Sequence, residues 1–404
     1  MKKPFAVVAI FVAVCSVCFA AAGQYSFGDG RFYADLLPSD ELYPEALFDI
    51  YSPQSDLTPM FLSGGVSNPI DLRAIVQDSA GMNQYMDLPY RDDDLGSDDN
   101  MYLRMKTGIN LSLFRIGFGL HDALSKPLVE IEGSVQGTVS TLFCGFEKND
   151  TLGFDGTYFF GANVRIADIV SLRFGLHHFS GHYGDEMLEK FYAKNGIDFS
   201  SSDPKLKING TAYKYIGLME YVRDNSYLMG VSVQTPWFVR IYGELEIPKN
   251  PSWIRPFAHT PADYENTIPG DEGRPTLIDR IGGDAADGEH WKQSQLDAEQ
   301  ELKRSGNYKA LRIMTGVEVS VPIPSFGAIF AGVNIQLHQD GQTKHQYGQY
   351  SADNPWEFEI TAGGGVEIGS GLRIEAFYHE GRVPALNWFY SRTKMIGVGF
   401  SIDG

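Results

Sequence analysis

From about residue 100 onward, apolar and polar side chains alternate with a period of two. Val129, Ile131, Val135 and Val139 interleave with Glu130, Glu132, Ser134, Gln136 and Thr138. Leu172, Phe174 and Leu176 interleave with Ser171, Arg173, Gly175 and His177, and Leu311, Ile313, Val317, Val319 and Val321 with Arg312, Met314, Glu318 and Ser320. The same alternation runs through 158–166, 239–246, 329–338 and 357–367. Neighbouring side chains of a strand point to opposite faces, so each segment is a strand with one oily and one polar face.

A soluble sandwich also alternates, and three features separate the two cases. The segments run about ten to fifteen residues, against about five or six for an ordinary soluble strand, and that length crosses a bilayer on a tilt. The polar face mixes full charges with glycine and serine, as a wet or salt-bridged lumen does. Connections alternate between short ones (Ala167-Asp168, Thr235-Pro236, Pro322 to Ser325, Gly369 to Gly371) and long ones (182–206, 248–308, 339–355, 381–392). Outer-membrane barrels have short turns at one end and long loops at the other.

The pattern predicts an all-β fold, a transmembrane antiparallel up-and-down β-barrel. Its strands are expected near 60–66, 101–120, 127–144, 154–166, 169–181, 206–234, 237–247, 309–321, 326–338, 356–367, 371–380 and 393–402, about twelve, an even number as in bacterial single-chain barrels. Residues 206–234 read either as two strands turning at Arg223-Asp224-Asn225 or as one long strand. Only the single strand keeps every short turn at one end, so one strand is expected. Residues 21–56 and 67–100 are acidic and turn-rich and read as a solvated arm or loop outside the wall. The Pro/Gly/Asp-rich loop 248–308 is too long for a mere connection and carries one helical stretch, Glu289 to Arg304.

The first residues set the compartment. Lys2 and Lys3 precede an apolar run from Phe5 to Phe19 and a small-residue patch, Ala20-Ala21-Ala22. That is a cleavable secretory signal over residues 1–22, and no other apolar stretch approaches the length of a spanning helix. Domains are therefore expected as the signal 1–22, an acidic arm with a possible first strand over 23–100, and the barrel over 101–404. Past the signal only Cys144 remains, so no internal disulfide is available. The formal charge of -18 excludes a nucleic-acid partner, which needs a basic surface. Aromatics at 13% and 44 glycines suit a half-apolar wall.

One stretch has a familiar order. An alternating strand runs into Leu176-His177-His178-Phe179-Ser180-Gly181-His182-Tyr183-Gly184-Asp185-Glu186. Arg240-Ile241-Tyr242-Gly243-Glu244 follows, and later Phe377-Tyr378-His379-Glu380-Gly381 precedes a last strand rich in alternating glycine. The chain resembles the bacterial family named domain of unknown function 1207, whose members carry a His-x-Ser-Ser-His-Leu-Gly-Asp-Glu-like segment and an Arg-x-Tyr-Gly-Gly-like strand. Here Gly181 replaces a serine, Tyr183 a leucine and Glu244 a glycine. The resemblance covers about 57–247 and 309–402, leaving 248–308 as an insertion, and implies an exported outer-membrane protein without an established activity.

Two constellations could carry chemistry. His178 and Ser180 share the parity of Leu172, Phe174 and Leu176, which turns them toward lipid at the outer end of their strand. Such a pair looks like the dyad of outer-membrane phospholipase A and lipid A deacylase. A histidine would take the serine proton, and Asp185 or Glu186 would orient the imidazole. The blander reading is a polar, hydrogen-bonded strand end. These residues match no metal-ligand spacing, so neither metal nor cofactor is expected.

The second set faces inward: Arg165, Arg173, Arg240, Arg312 and Arg373 with Glu130, Glu132, Glu244, Glu246, Glu318, Glu357, Glu359, Glu367 and Glu375. It reads either as an eyelet that selects solutes, the acid excess favouring cations, or as a salt-bridged interior. Gly363-Gly364-Gly365 lies in a strand with no helix after it, which points to curvature or close approach rather than phosphate binding.

The sequence thus predicts a bacterial outer-membrane barrel, non-enzymatic, acting as a solute pore or a structural membrane protein. Lipid acyl hydrolysis, or adhesion through loop 248–308, are the rivals. Its expected partners are outer-membrane lipid and the barrel assembly machinery.

Overall fold

The computed structural model describes residues 23–27, 32–63, 66, 73–77, 83–87, 100–119, 127–145, 150–198, 201, 203–208, 210–221, 225–248, 254–258, 311–339, 356–369, 371–385 and 392–402. In chain order the elements begin with β1 (Gly23–Phe27), β2 (Phe32–Leu36), β3 (Ser55–Leu62), β4 (Arg73–Gln77) and β5 (Asn83–Asp87). Four long strands follow: β6 (Met101–Phe118), β7 (Val129–Cys144), β8 (Asp150–Ile166) and β9 (Val170–Tyr183). Then come α1 (Asp185–Lys194), β10 (Lys205–Ile208), β11 (Thr211–Tyr221), β12 (Ser226–Gln234), β13 (Val239–Pro248) and β14 (Ile254–Ala258). The chain closes with β15 (Arg312–Ile323), β16 (Gly327–Gln339), β17 (Trp356–Ile368), β18 (Leu372–Arg382) and β19 (Arg392–Ile402).

Twelve strands form a closed antiparallel barrel in the order β3-β6-β7-β8-β9-β12-β13-β15-β16-β17-β18-β19, with β19 returning to β3 through Ile402 opposite Ser55. Closure lets wall amides pair with one another around the ring, with β2 adding to β6 beyond the end of β3. The predicted parity is realised. Glu132 and Arg173 point in and are buried, whereas Phe160 and Ile396 point out and are 58% and 60% exposed. Each of the twelve strands exposes at least one large apolar side chain. The β8–β9 turn is tight: Ala167 and Asp168 have φ of 52° and 57°, and Ile169 N–H donates to the Ile166 carbonyl at 3.1 Å. Ile166 pairs with Val170, so this is a three-residue connection whose first two residues are left-handed.

Three expectations need correction. The first wall strand is Ser55–Leu62, not 60–66. Residues 206–234 are not one strand. Only β12 belongs to the wall, while β11 pairs with β4, β10 and β14 in a separate small sheet. The short turns still share one end because β11 never enters the barrel. β4, from the stretch read as a solvated loop, is its partner, and such a distant pairing leaves no mark in local periodicity. Among the described residues, this small sheet and α1 lie at the opposite end as a cap. Val76, Tyr192, Leu206 and Tyr215 from the cap share one buried apolar cluster with Tyr102, Leu142, Cys144 and Tyr183 of the wall. The helix expected at 289–304 lies outside the described residues.

The third correction concerns the acidic N-terminal arm. β2 pairs with the lower part of β6, Phe32 opposite Phe118 and Leu36 opposite Phe114. Residues 37–54 then cross the lumen before the chain joins the wall as β3. Leu42, Tyr43, Phe48 and Ile50 are buried there. This stretch is not solvated because the wall supplies partners for its polar groups, and a buried polar group needs such partners.

Candidate functional site

The lumen is organised by the segment 37–54. Asp40 meets Arg115 at 2.9 Å, and Arg115 also holds Glu132 at 2.7 Å. Leu42 N–H donates to Glu132 at 3.4 Å, and Ser171 Oγ donates to the Leu42 carbonyl at 2.5 Å. Glu45 accepts from Arg173 at 2.5 Å and from Gln136 at 2.5 Å. Leu47 N–H donates to Glu318 at 2.6 Å, Gln336 donates to Asp49 at 2.8 Å, and Arg104 donates to the Ile50 carbonyl at 3.1 Å. The partners come from β6, β7, β9, β15 and β16, so the segment bridges the lumen instead of lining one side. Beside it, Glu45, Asp49, Gln136, Arg173, Glu244 and Arg312 border a cavity of about 30 Å³, room for about two waters.

The inward charges named from sequence fall around this segment. Arg165 pairs with Glu130 at 2.6 Å, Arg240 with Glu318 at 3.4 Å, and Arg373 with Glu367 at 3.3 Å. Glu130 also accepts from Tyr33 of β2. Glu244 lies 3.9 Å from Arg173, and Arg312 lies 3.0 Å from Glu246. Glu359 sits between His338 at 2.9 Å and Arg382 at 3.3 Å. The side chain of Glu357 lies outside the description, although its backbone is opposite His338. Sequence reasoning missed His338 and Arg382 in this set, and the signal for His338 was its inward parity. Mixed signs pair across strands, so the described lumen is filled and salt-bridged.

The second site is on the lipid face at the cap end. His178 Nδ1 lies 3.2 Å from Asn225 Oδ1. The imidazole stacks on Tyr158, its cross-strand partner, with centroids 4.7 Å apart. His182 stacks on Phe154 at the same 4.7 Å separation. Between these two stacks Ser180 faces Gly156, and its hydroxyl donates to the Gly156 carbonyl at 3.3 Å. A Cβ on Gly156 would lie 3.2 Å from Ser180 Oγ, so this glycine makes the notch that the hydroxyl occupies. Serine and histidine share one face, as predicted, but Ser180 is bonded to the backbone and not to His178. The imidazole is held by Asn225, not by Glu186, which lies on α1; the side chain of Asp185 is not described. Asn225 directly precedes β12, the strand beside β9, and its sequence position gave no hint of this pairing. Among the described residues no cluster of histidine, cysteine and carboxylate side chains is arranged to hold a metal ion.

No protein-family description and no curated protein matches the chain. Solved structures do match at low identity. The outer membrane phospholipase dimer of Salmonella typhi, with bound calcium, is 7% identical over 87% of this chain and 90% of that one, with a TM-score of 0.37. Outer membrane phospholipase A from Escherichia coli is 9% identical over 87% and 97%, with a TM-score of 0.36. The translocator domain of the autotransporter NalP from Neisseria meningitidis is 10% identical over 88% and 91%, with a TM-score of 0.30. At these values the likeness assigns no activity to this chain.

Proposed function

We propose that the chain is a bacterial outer-membrane β-barrel protein, exported through a cleaved signal and acting without catalysis, as a conduit or structural element whose lumen is closed by its own N-terminal segment. The observation that carries this reading is the inversion of polarity. All twelve wall strands turn large apolar side chains outward, while arginine and glutamate are buried inside. In water such an exterior would aggregate; in lipid it is the favourable arrangement. The resemblance to the domain of unknown function 1207 fits the same reading. Its partners are outer-membrane lipid and the barrel assembly machinery. The closed lumen favours a gated or structural role over an open pore.

Fractionation tests it. The protein is expected in the outer membrane, with gel mobility that changes only on heating. Phe160→Arg places a charge on the lipid face at a cost of about 2–4 kcal/mol if it lies near the bilayer midplane, and should reduce the assembled fraction. Recovery of wild-type protein as a soluble periplasmic species would end the reading.

A second reading, lipid acyl hydrolysis, is favoured by the His178–Asn225 pair beside Ser180. It requires the Ser180 hydroxyl to leave the Gly156 carbonyl and turn to the free edge of His178. Ser180 would then attack a lipid ester from the side, with the imidazole as base. Apo geometry of this kind tightens on substrate binding in many enzymes. Reconstituted protein should release fatty acid from phospholipid or lipid A, and Ser180→Ala should remove at least about a hundredfold of that rate, the low end of the contribution of such groups. Equal turnover by wild type and variant would dismiss it.

A further inference from the structure

The geometry points to a carboxylate-binding site in the lumen, formed by Arg173 and Gln136. We infer that Glu45 occupies it as an internal stand-in, and that residues 37–54 are a gate displaced by small carboxylate-bearing solutes. This rests on the reading of the chain as a membrane barrel.

The segment 37–54 contains Asp40, Glu41, Glu45 and Asp49 and neither lysine nor arginine. It lies as an acidic strip against Arg104, Arg115 and Arg173. Arg173 is the most prepared of the three. Its guanidinium is buried and lies over the wall ring of Phe159 at 5.0 Å, while the Tyr43 ring at 4.3 Å covers it only with the segment in place. A planar fork held in this way is suited to bidentate carboxylate recognition. Glu45 uses only part of it. The carboxylate meets Nη2, while the buried Nε has no hydrogen-bond acceptor. A carboxylate approaching side-on would take both donors, with Gln136 supplying a third. The cavity of about 30 Å³ beside Glu45 and Arg173 lies at this point.

The segment is also built to let go. Residues 37–54 form no strand ladder with the wall; they are held by side chains and single amide bonds. Asp40, at their entry, has a side chain 63% exposed, so solvent reaches the start of the strip. Both ends are anchored by β2 and β3, which keeps Glu45 at high effective concentration and the lumen closed at low solute. Phe48 and Ile50 belong to the apolar cluster that continues into the cap. Withdrawing the segment therefore takes Phe48 and Ile50 out of that cluster.

The full-length protein, reconstituted in planar bilayers and in liposomes, tests this with succinate against an uncharged sugar of similar size. Wild type is expected to be mostly closed. Glu45→Gln should raise open time by about tenfold, the order expected for losing one charge-assisted contact, and succinate should enter faster than the sugar. Adding Arg173→Gln to Glu45→Gln should abolish that preference. The gate is refuted if Glu45→Gln, shown folded by heat-dependent gel mobility, conducts no more than wild type. The site is refuted if succinate and sugar enter alike. Should Glu45→Gln not fold, a chain with residues 38–53 replaced by a Gly/Ser linker of equal length takes its place. Failure of both to fold would make the segment structural core and overturn the gate. Wild type that does not insert at all would sink the membrane reading instead.

Discussion

Glu132 shows how a full charge is kept inside this protein. It is fully buried, and it accepts from Arg115 Nε at 3.2 Å, Arg115 Nη2 at 2.7 Å, Asn163 at 3.0 Å and the Leu42 amide at 3.4 Å. Three of those donors belong to inward side chains of adjacent strands, so strand parity alone brings them near. The fourth comes from about ninety residues away, and periodicity is silent on it. Gly363 is a second case. A Cβ there would lie 2.5 Å from a ring carbon of Phe48 and 2.6 Å from the Ala376 carbonyl. The sequence suggested close approach at this glycine; the structure supplies what approaches. Gly363→Leu should therefore expel Phe48 and destabilise the assembled barrel by about 1–3 kcal/mol, the usual range for overpacking. A lower midpoint in heat-dependent gel mobility would check it, and an unchanged midpoint would mean that Phe48 does not rest there.

Among the elements, β6 carries the least regular pairing. Its Met101–Lys106 part pairs with β3 and its Phe114–Phe118 part with β2, so two short strands complete one side of a long one. The register with β7 shifts between Ser112 and Phe114, and Leu111 and Phe114 both remain exposed on the outside. A bulge of this kind re-aims side chains without breaking the wall. The predicted wall strands from β13 to β19 lie within a few residues of those observed, because both faces of each strand have a fixed solvent. The cap was not legible. β4 and β11 meet from about 140 residues apart, and no face of either is set by lipid. Its stability comes from the apolar cluster beneath, where Val76 and Leu206 are buried. Val76→Asp should cost roughly 3 kcal/mol by placing an unpaired charge there. The cap should become sensitive to protease while the barrel keeps its heat-dependent mobility; a protected cap would contradict the packing described.

At the scale of the molecule, the barrel is a soluble protein's polarity turned outside in, with a plug and a cap that share one apolar cluster. The sequence by itself determined the β class, the number of wall strands and which face of most strands is oily. All of these follow from a period of two read against two fixed solvents, lipid and lumen. Only the tertiary structure decided that an acidic arm crosses the lumen, that Asn225 meets His178, and that Glu45 sits in the grip of Arg173. These are pairings between distant segments. They depend on where the closed wall brings side chains together, and a local pattern carries no record of that.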